Sequence, residues 1–318
     1  MKQIVFSLCL MVFWASFAYG EEAFGYISHS TINIGDDIQT IAAKRFLPDN
    51  AVAVDREFIS AFSHPSRVKT VVSGWFMHQK EGYWDLPVDP PDSSWPPSDV
   101  IDPFFISIHL TGSFLPTVFS EKNIAYLKKH GPIGARDLFT LNELQKRGIP
   151  SYFSGCLTLT LENGCKERND LIYLVDLDEE TIQYIRSKTS SPIVVLSHGK
   201  PLLQLLSTEH RLKYAEYLLN LYRRCKCVVT TRLHASMPCL AFETPVLMIS
   251  SDRRGAMDAR FPGLVEHAYH CSKEELLGGE CDYDFDCPPE NPKTYLPIRK
   301  QLCKTMMEWV QFTFRKRR

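Results

Sequence analysis

Val228-Val229-Thr230-Thr231-Arg232-Leu233-His234-Ala235 is a β-branched run that stops at an arginine and a histidine. The run has the composition of a buried strand, and Ala-Ser-Met-Pro-Cys-Leu-Ala-Phe after His234 begins a helix. Arg232 and His234 therefore fall at the carboxyl end of a strand, where open α/β sheets bind ligands. A permanently charged guanidinium beside a titratable imidazole, at the positive end of a helix, suits an anion that must be held and a proton that must be moved.

Outward from this junction the chain alternates. In the first half, residues 24–28, 68–73, 104–110, 132–135 and 151–154 read as strands, and 36–46, 121–130 and 138–147 as helices. After the polar stretch 162–169 a second series begins, with strands 171–175, 193–196, 227–231 and 246–249 and helices 179–186, 208–224 and 233–242. A long helix over 295–314 closes the chain. Strands separated by helices make a parallel α/β sheet. A chain of 318 residues exceeds what one core usually holds, so two such domains are expected, 23–160 and 161–318, with a cleft between them. Between strands, residues 82–97 hold five prolines and two tryptophans and read as a surface excursion.

Composition narrows the function. With 36 basic against 37 acidic side chains there is no broad positive field, which argues against nucleic acid as a partner. Residues 1–22 carry Lys2, an apolar run over 4–19 and a small-residue exit at Ala18-Tyr19-Gly20. This is the pattern of a secretory signal peptide. The run is slightly short for a spanning helix, which favours cleavage over a signal anchor, and it is the one segment through which membrane attachment is expected. Nine of the ten cysteines lie beyond this leader, with Cys281 and Cys287 one candidate disulfide in an oxidising compartment. Cys225 and Cys227 lack the spacing of a zinc site and read as buried thiols; no metal is expected.

Three short motifs, in order, resemble the polysaccharide pyruvyl transferase family. Asn33-Ile34-Gly35-Asp36-Asp37 is similar to the family's Asn-x-Gly-Asp loop after the first strand, although Asp36 also suits an ordinary helix N-cap. Gly134-Ala135-Arg136-Asp137 is similar to its Gly-x-Arg-Asp turn, where an arginine is otherwise a common surface ion pair. Thr231-Arg232-Leu233-His234-Ala235, with Thr244-Pro245-Val246, is similar to its Ser-Arg-x-His-Ala and Gly-x-Pro-Val. His234 is otherwise a satisfied core histidine.

The resemblance implies a glycosyltransferase-B-like fold, two Rossmann-like domains facing across a cleft. It implies transfer of the enolpyruvyl unit of phosphoenolpyruvate onto a glycan sugar as a pyruvate ketal, with no cofactor. Arg136 and Arg232 would bracket the anionic donor, the Leu233 backbone N–H and the helix start would add donors, and His234 would act as general acid. Asn33, Gly35, Asp36, Asp137 and His198 are further cleft candidates, His198 being equally suited to a packing role. The family often has a tyrosine or aspartate and a lysine after Pro-Val; here Asp252 and Arg253 would take that contact. Trp84 and Trp95 could stack on a sugar face, though ordinary loop packing is the favoured reading. The rival functions are a nucleotide-sugar glycosyltransferase of the same fold, for which Glu243 is the nearest ribose-binding candidate, and a non-catalytic glycan-binding relative. The leader implies the secretory pathway, secreted or in a Golgi lumen, where phosphoenolpyruvate would have to be supplied.

Overall fold

The computed structural model describes residues 23–76, 95–165, 167–250 and 260–315. The first half carries β1 (Ala23–Ser28), α1 (Ile34–Lys44), β2 (Val52–Asp55), β3 (Val68–Phe76), β4 (Ile101–Leu110), α2 (Leu115–Val118), α3 (Glu121–Lys129), β5 (Ile133–Ala135), α4 (Leu138–Gln145) and β6 (Ser151–Phe153). The second carries β7 (Ile172–Val175), α5 (Glu179–Arg186), β8 (Ile193–Leu196), α6 (Thr208–Arg224), β9 (Cys227–Thr230), α7 (Leu233–Ala241), β10 (Val246–Ser250), β11 (Tyr269–Ser272), α8 (Lys273–Gly278) and α9 (Leu296–Arg315). Each half builds one parallel sheet, so the protein is α/β with two parallel sheets.

The strand orders are β2-β1-β3-β4-β5-β6 and β11-β10-β9-β7-β8. Counted from the first strand of each half, they follow one rule. The second strand lies outside the first, and the chain then reverses and builds outward on the other side. The reversal leaves a crevice at the carboxyl ends of β1 and β3 in one sheet and of β7 and β9 in the other, which is where open sheets take ligands.

β9 shows why the decisive run reads as it does. Val228 packs into one apolar cluster while Cys227 and Val229 pack into another on the opposite face. Side chains alternate between faces and both faces are covered, so the strand is apolar throughout rather than at every second position. The two strands not expected, β2 and β11, are four-residue edge strands, each with a single neighbour.

The halves share a core. Ile34, Ile38 and Ala42 of α1 pack in one cluster with Leu218, Leu219 and Tyr222 of α6 and with Met237 and Leu240 of α7. Because α1 is wedged there, nine of its eleven residues are buried, including Asp36, Asp37, Gln39 and Thr40. Buried polar groups need partners. Asp37 takes two bonds from Arg211 of α6 (Nη2 2.7 Å, Nε 3.1 Å), Gln39 donates to the Ser107 carbonyl, and Thr40 donates to the Ile27 carbonyl. At the other end of the molecule α9 returns to the first sheet, where Trp309 stacks on Phe104 (4.9 Å between centroids) and meets Phe24 edge-on.

The structure decides three of the open readings. Trp95 is not a sugar platform, since it is 1% exposed and surrounded by Phe76, Phe105, Phe114 and Tyr126. Cys281 is unpaired, as is the exposed Cys287, and the Cys281 thiol shares a hydrogen bond with Cys271 instead. Cys225 and Cys227 are buried free thiols, as read. Trp84, Asp252, Arg253 and the leader lie outside the described residues. No helix among the described residues is long and apolar enough to cross a membrane.

Candidate active site

The crevices of the two sheets open into one cavity of about 30 Å³, lined from the first half by Asn33, Gly35, Asp36, Trp75 and Arg136 and from the second by His198, Arg232, Leu233, His234 and Arg260. That is room for about two waters, with the mouth partly open to solvent. The loops that carry these residues are joined directly. Ile34 N–H donates to the His198 carbonyl and Lys200 N–H to the Ile32 carbonyl, so Asn33 and Gly199 form an antiparallel bridge between the halves.

α1 begins at the cavity wall. Its cap is Asn33, whose side chain accepts from Gly35 N–H at 3.1 Å, and Asp36 sits one turn in rather than at the cap. The reason is Arg56, fully buried, which donates Nη1 to Asp36 Oδ2 at 3.1 Å and draws the carboxylate inward. Asp36 Oδ1 then has no hydrogen-bond partner and lies 4.0 Å from His234 Nδ1. Gly35 is required by closeness: a Cβ there would sit 3.1 Å from Asn33 Oδ1, 3.2 Å from His234 Cβ and 3.3 Å from His198 Nδ1.

α7 begins at the opposite wall, and its cap position is held by Arg232, whose side chain makes no capping bond. Cap residues are normally acceptors. A guanidinium cannot accept, and with Ala235 and Ser236 N–H donating to the Arg232 carbonyl it is the Leu233–His234 start of α7 that faces the cavity as an anion-binding end. Arg232 is instead turned aside, its Nε donating to Asp176 Oδ2 at 2.7 Å. Arg136 comes from the end of β5, is 1% exposed, and leaves its Nε without a partner. Gly134 lets this strand approach β4, since a Cβ there would meet the Ile106 Cα at 3.0 Å and the Phe105 carbonyl at 3.1 Å.

The two cavity histidines are neutral. Burial, then the charge of Arg136, pushes His234 well below its ordinary 6.5, against a hydrogen bond to the Gly35 backbone, and leaves Nε2 without a partner. His198 is lowered to about 4, by burial first. Its Nε2 is 2.7 Å from Tyr222 Oη, and its Nδ1 is unpartnered on the Gly35 side. An imidazole lacking its proton at rest is a ready acceptor, and becomes an acid only after something raises its affinity for a proton.

Of the residues singled out in the sequence, Arg136, Arg232, Leu233, His234, Asn33, Gly35, Asp36 and His198 meet at this cavity. Asp137 does not line it. Its carboxylate caps α4 at Thr140 N–H and holds His109 Nδ1 at 2.6 Å, as a buried support behind Arg136. Trp75, Arg260 and Asp176 were not anticipated. Trp75 is turned into the cavity by an irregularity between β3 and β4 at Val72/Gly74, with Gly74 at φ +135°, and the Arg260 guanidinium lies 4.9 Å from its ring centroid. Among the described residues no cluster of His, Cys, Asp or Glu is arranged to hold a metal ion.

The site thus gathers three arginines, two helix N-termini and two neutral histidines, together with unpartnered buried atoms Asp36 Oδ1, Arg136 Nε, His198 Nδ1 and His234 Nε2. Buried polar atoms without partners mark places where a ligand completes the bonding. No match is found among curated proteins. The family model described as polysaccharide pyruvyl transferase matches residues 33–253, which include every described cavity residue except Arg260. The match covers well over half of the sequence, and the chain, a transferase enzyme, belongs to the polysaccharide pyruvyl transferase family.

Proposed function

We propose that the cavity binds phosphoenolpyruvate and that the enzyme transfers its enolpyruvyl unit to a glycan sugar as a cyclic ketal. The observation that carries this is the pairing of Arg136 and Arg232, from opposite halves, around the uncapped start of α7. A donor with a phosphate and a carboxylate needs two separate anion holders, and guanidinium forks suit both groups. The common strand order and the single cavity at both crevices support a glycosyltransferase-B-like arrangement of the halves.

Two sugar hydroxyls bond to C2 of the donor, the C2–O bond to phosphate breaks, and the methylene carbon becomes a methyl. The two hydroxyl protons go to that carbon and to the departing phosphate, so the step balances without a cofactor. His234 moves one of these protons. It begins neutral, and the negative charge of a bound donor beside it raises its proton affinity into the working range. The secretory-type pattern of residues 1–22 supports a reaction in a lumen that receives phosphoenolpyruvate by transport.

Thermal-shift screening of the purified protein against phosphoenolpyruvate and a panel of nucleotide sugars tests the donor. Stabilisation by phosphoenolpyruvate is expected. Stabilisation by a nucleotide sugar alone would sink the assignment.

A further inference from the structure

Asp176 ends β7 with φ +54°, a left-handed conformation that aspartate and asparagine tolerate better than most side chains. Its carboxylate is fully engaged. Oδ1 accepts from Ser197 Oγ at 2.6 Å, and Oδ2 accepts from the His198 backbone N–H at 3.1 Å and from Arg232 Nε at 2.7 Å. Its carbonyl accepts from Thr231 Oγ1 at 3.0 Å. One residue therefore ties together the carboxyl ends of β7, β8 and β9, the three strand ends around the crevice of the second sheet.

We propose that Asp176 is a positioning residue for the anion site: its carboxylate fixes the Arg232 guanidinium by Nε, so that the two Nη groups face a bound phosphate or carboxylate in one orientation. This rests on the cavity being the donor site. Arg232 needs such a support because its side chain is 34% exposed, whereas the side chain of Arg136 is 2% exposed and lies 3.7 Å by its Nε from Asp137 Oδ2. An arginine free to rotate loses side-chain entropy when it binds, and a fixed fork has lost it in advance.

The carboxylate does not serve as a base. Burial opposes its ionisation, but the Arg232 charge and the Ser197 and His198 bonds together hold it below its ordinary value. Both of its oxygens are engaged, Oδ1 by Ser197 and Oδ2 by His198 and Arg232, which leaves Asp176 to act through Arg232.

The test is Asp176→Asn, which keeps the shape and the left-handed backbone and removes the charge. It is combined with Arg232→Met in a double-mutant cycle, and binding of phosphoenolpyruvate and of inorganic phosphate is measured by calorimetry. A charge-assisted hydrogen bond is worth roughly 10- to 100-fold in affinity, so Asp176→Asn is expected to weaken both ligands by about that factor. In the Arg232→Met background it is expected to change neither. Unchanged affinity in Asp176→Asn, or losses that add in the double variant, would overturn the positioning role, the second result meaning that the residue acts through the fold alone. A wild-type protein that binds inorganic phosphate but not phosphoenolpyruvate removes the donor assignment and leaves the clamp standing, and binding of neither overturns both.

Discussion

Replacing Arg211 by methionine isolates the bond that holds the two halves in register beside the site. The guanidinium is 1% exposed and donates to both oxygens of Asp37 and to the carbonyls of Thr31 (2.6 Å) and Leu203 (2.8 Å). Methionine keeps the apolar stem and leaves Asp37 as a buried charge without its partner. Breaking a buried pair in this way costs about 3–5 kcal/mol, and two stranded carbonyls add roughly 1 kcal/mol each. That is a large part of a domain's usual margin of about 5–15 kcal/mol. Urea unfolding followed by tryptophan fluorescence reads the loss, and Asp37→Asn in the same background, which removes the stranded charge, is expected to recover at least half of it. The pH dependence supplies a sign. Burial already lifts Asp37 to about 6 despite Arg211, and without that partner it rises further. A carboxyl raised above its unfolded value binds its proton more tightly in the folded state, so the gap between wild type and variant must narrow as pH falls from 7 to 5. A gap below about 1 kcal/mol, or one that widens in acid, would refute the role given to this pair.

The buried histidines predict acid lability. His29 is lowered to about 3 and His109 and His198 to about 4, each by burial first, with His234 also lowered. A histidine lowered in the folded state stabilises fully above its unfolded value near 6.5 and less as pH falls below it, by about 1.4 kcal/mol per unit for each group. Asp37 runs the other way over part of this range, so a net loss on the order of 4 kcal/mol by pH 5.5 is expected; equal unfolding midpoints at pH 7 and 5.5 would contradict it. Gly35→Ala is expected to slow transfer roughly tenfold or more while leaving the melting temperature nearly unchanged, because the new methyl presses on His234 Cβ and His198 Nδ1 rather than on the core. Full activity in that variant would mean that the close approach of α1 to these rings is incidental.

The sequence made the sheets legible where a strand is an apolar run, as at β9 and at the edge strand Ile193-Val194-Val195-Leu196, and lost them at β2 and β11, whose Val-Ala-Val-Asp and Tyr-His-Cys-Ser are short and mixed. It placed Arg136, Arg232 and His234 because each ends a strand, and position at a strand end is a local property. Asp176 ends a strand too, but Asp176-Leu177-Asp178-Glu179-Glu180 looks like the acidic start of a helix, and Asp178 is indeed the cap of α5. Trp75 was hidden inside an apolar run, because the irregularity that turns it inward depends on Gly74 and on the register with β4. Asp137 and Asp36 show the converse limit. Both lie in motifs, yet which way each carboxylate points was decided by His109 and Arg56, far away in sequence. The protonation of His234 was likewise beyond reach, since its neutral state follows from burial against Arg136 and not from its neighbours in the chain.

The central claim is tested most directly by incubating the purified enzyme with phosphoenolpyruvate and a pyruvate-free glycan panel, measuring released phosphate and the ketal carbon by NMR in the same samples. Phosphate and ketal are predicted to appear in equal amounts, and both to vanish in a folded His234→Ala variant. Retained turnover in that variant, or phosphate released with no ketal formed on any glycan, would contradict the account.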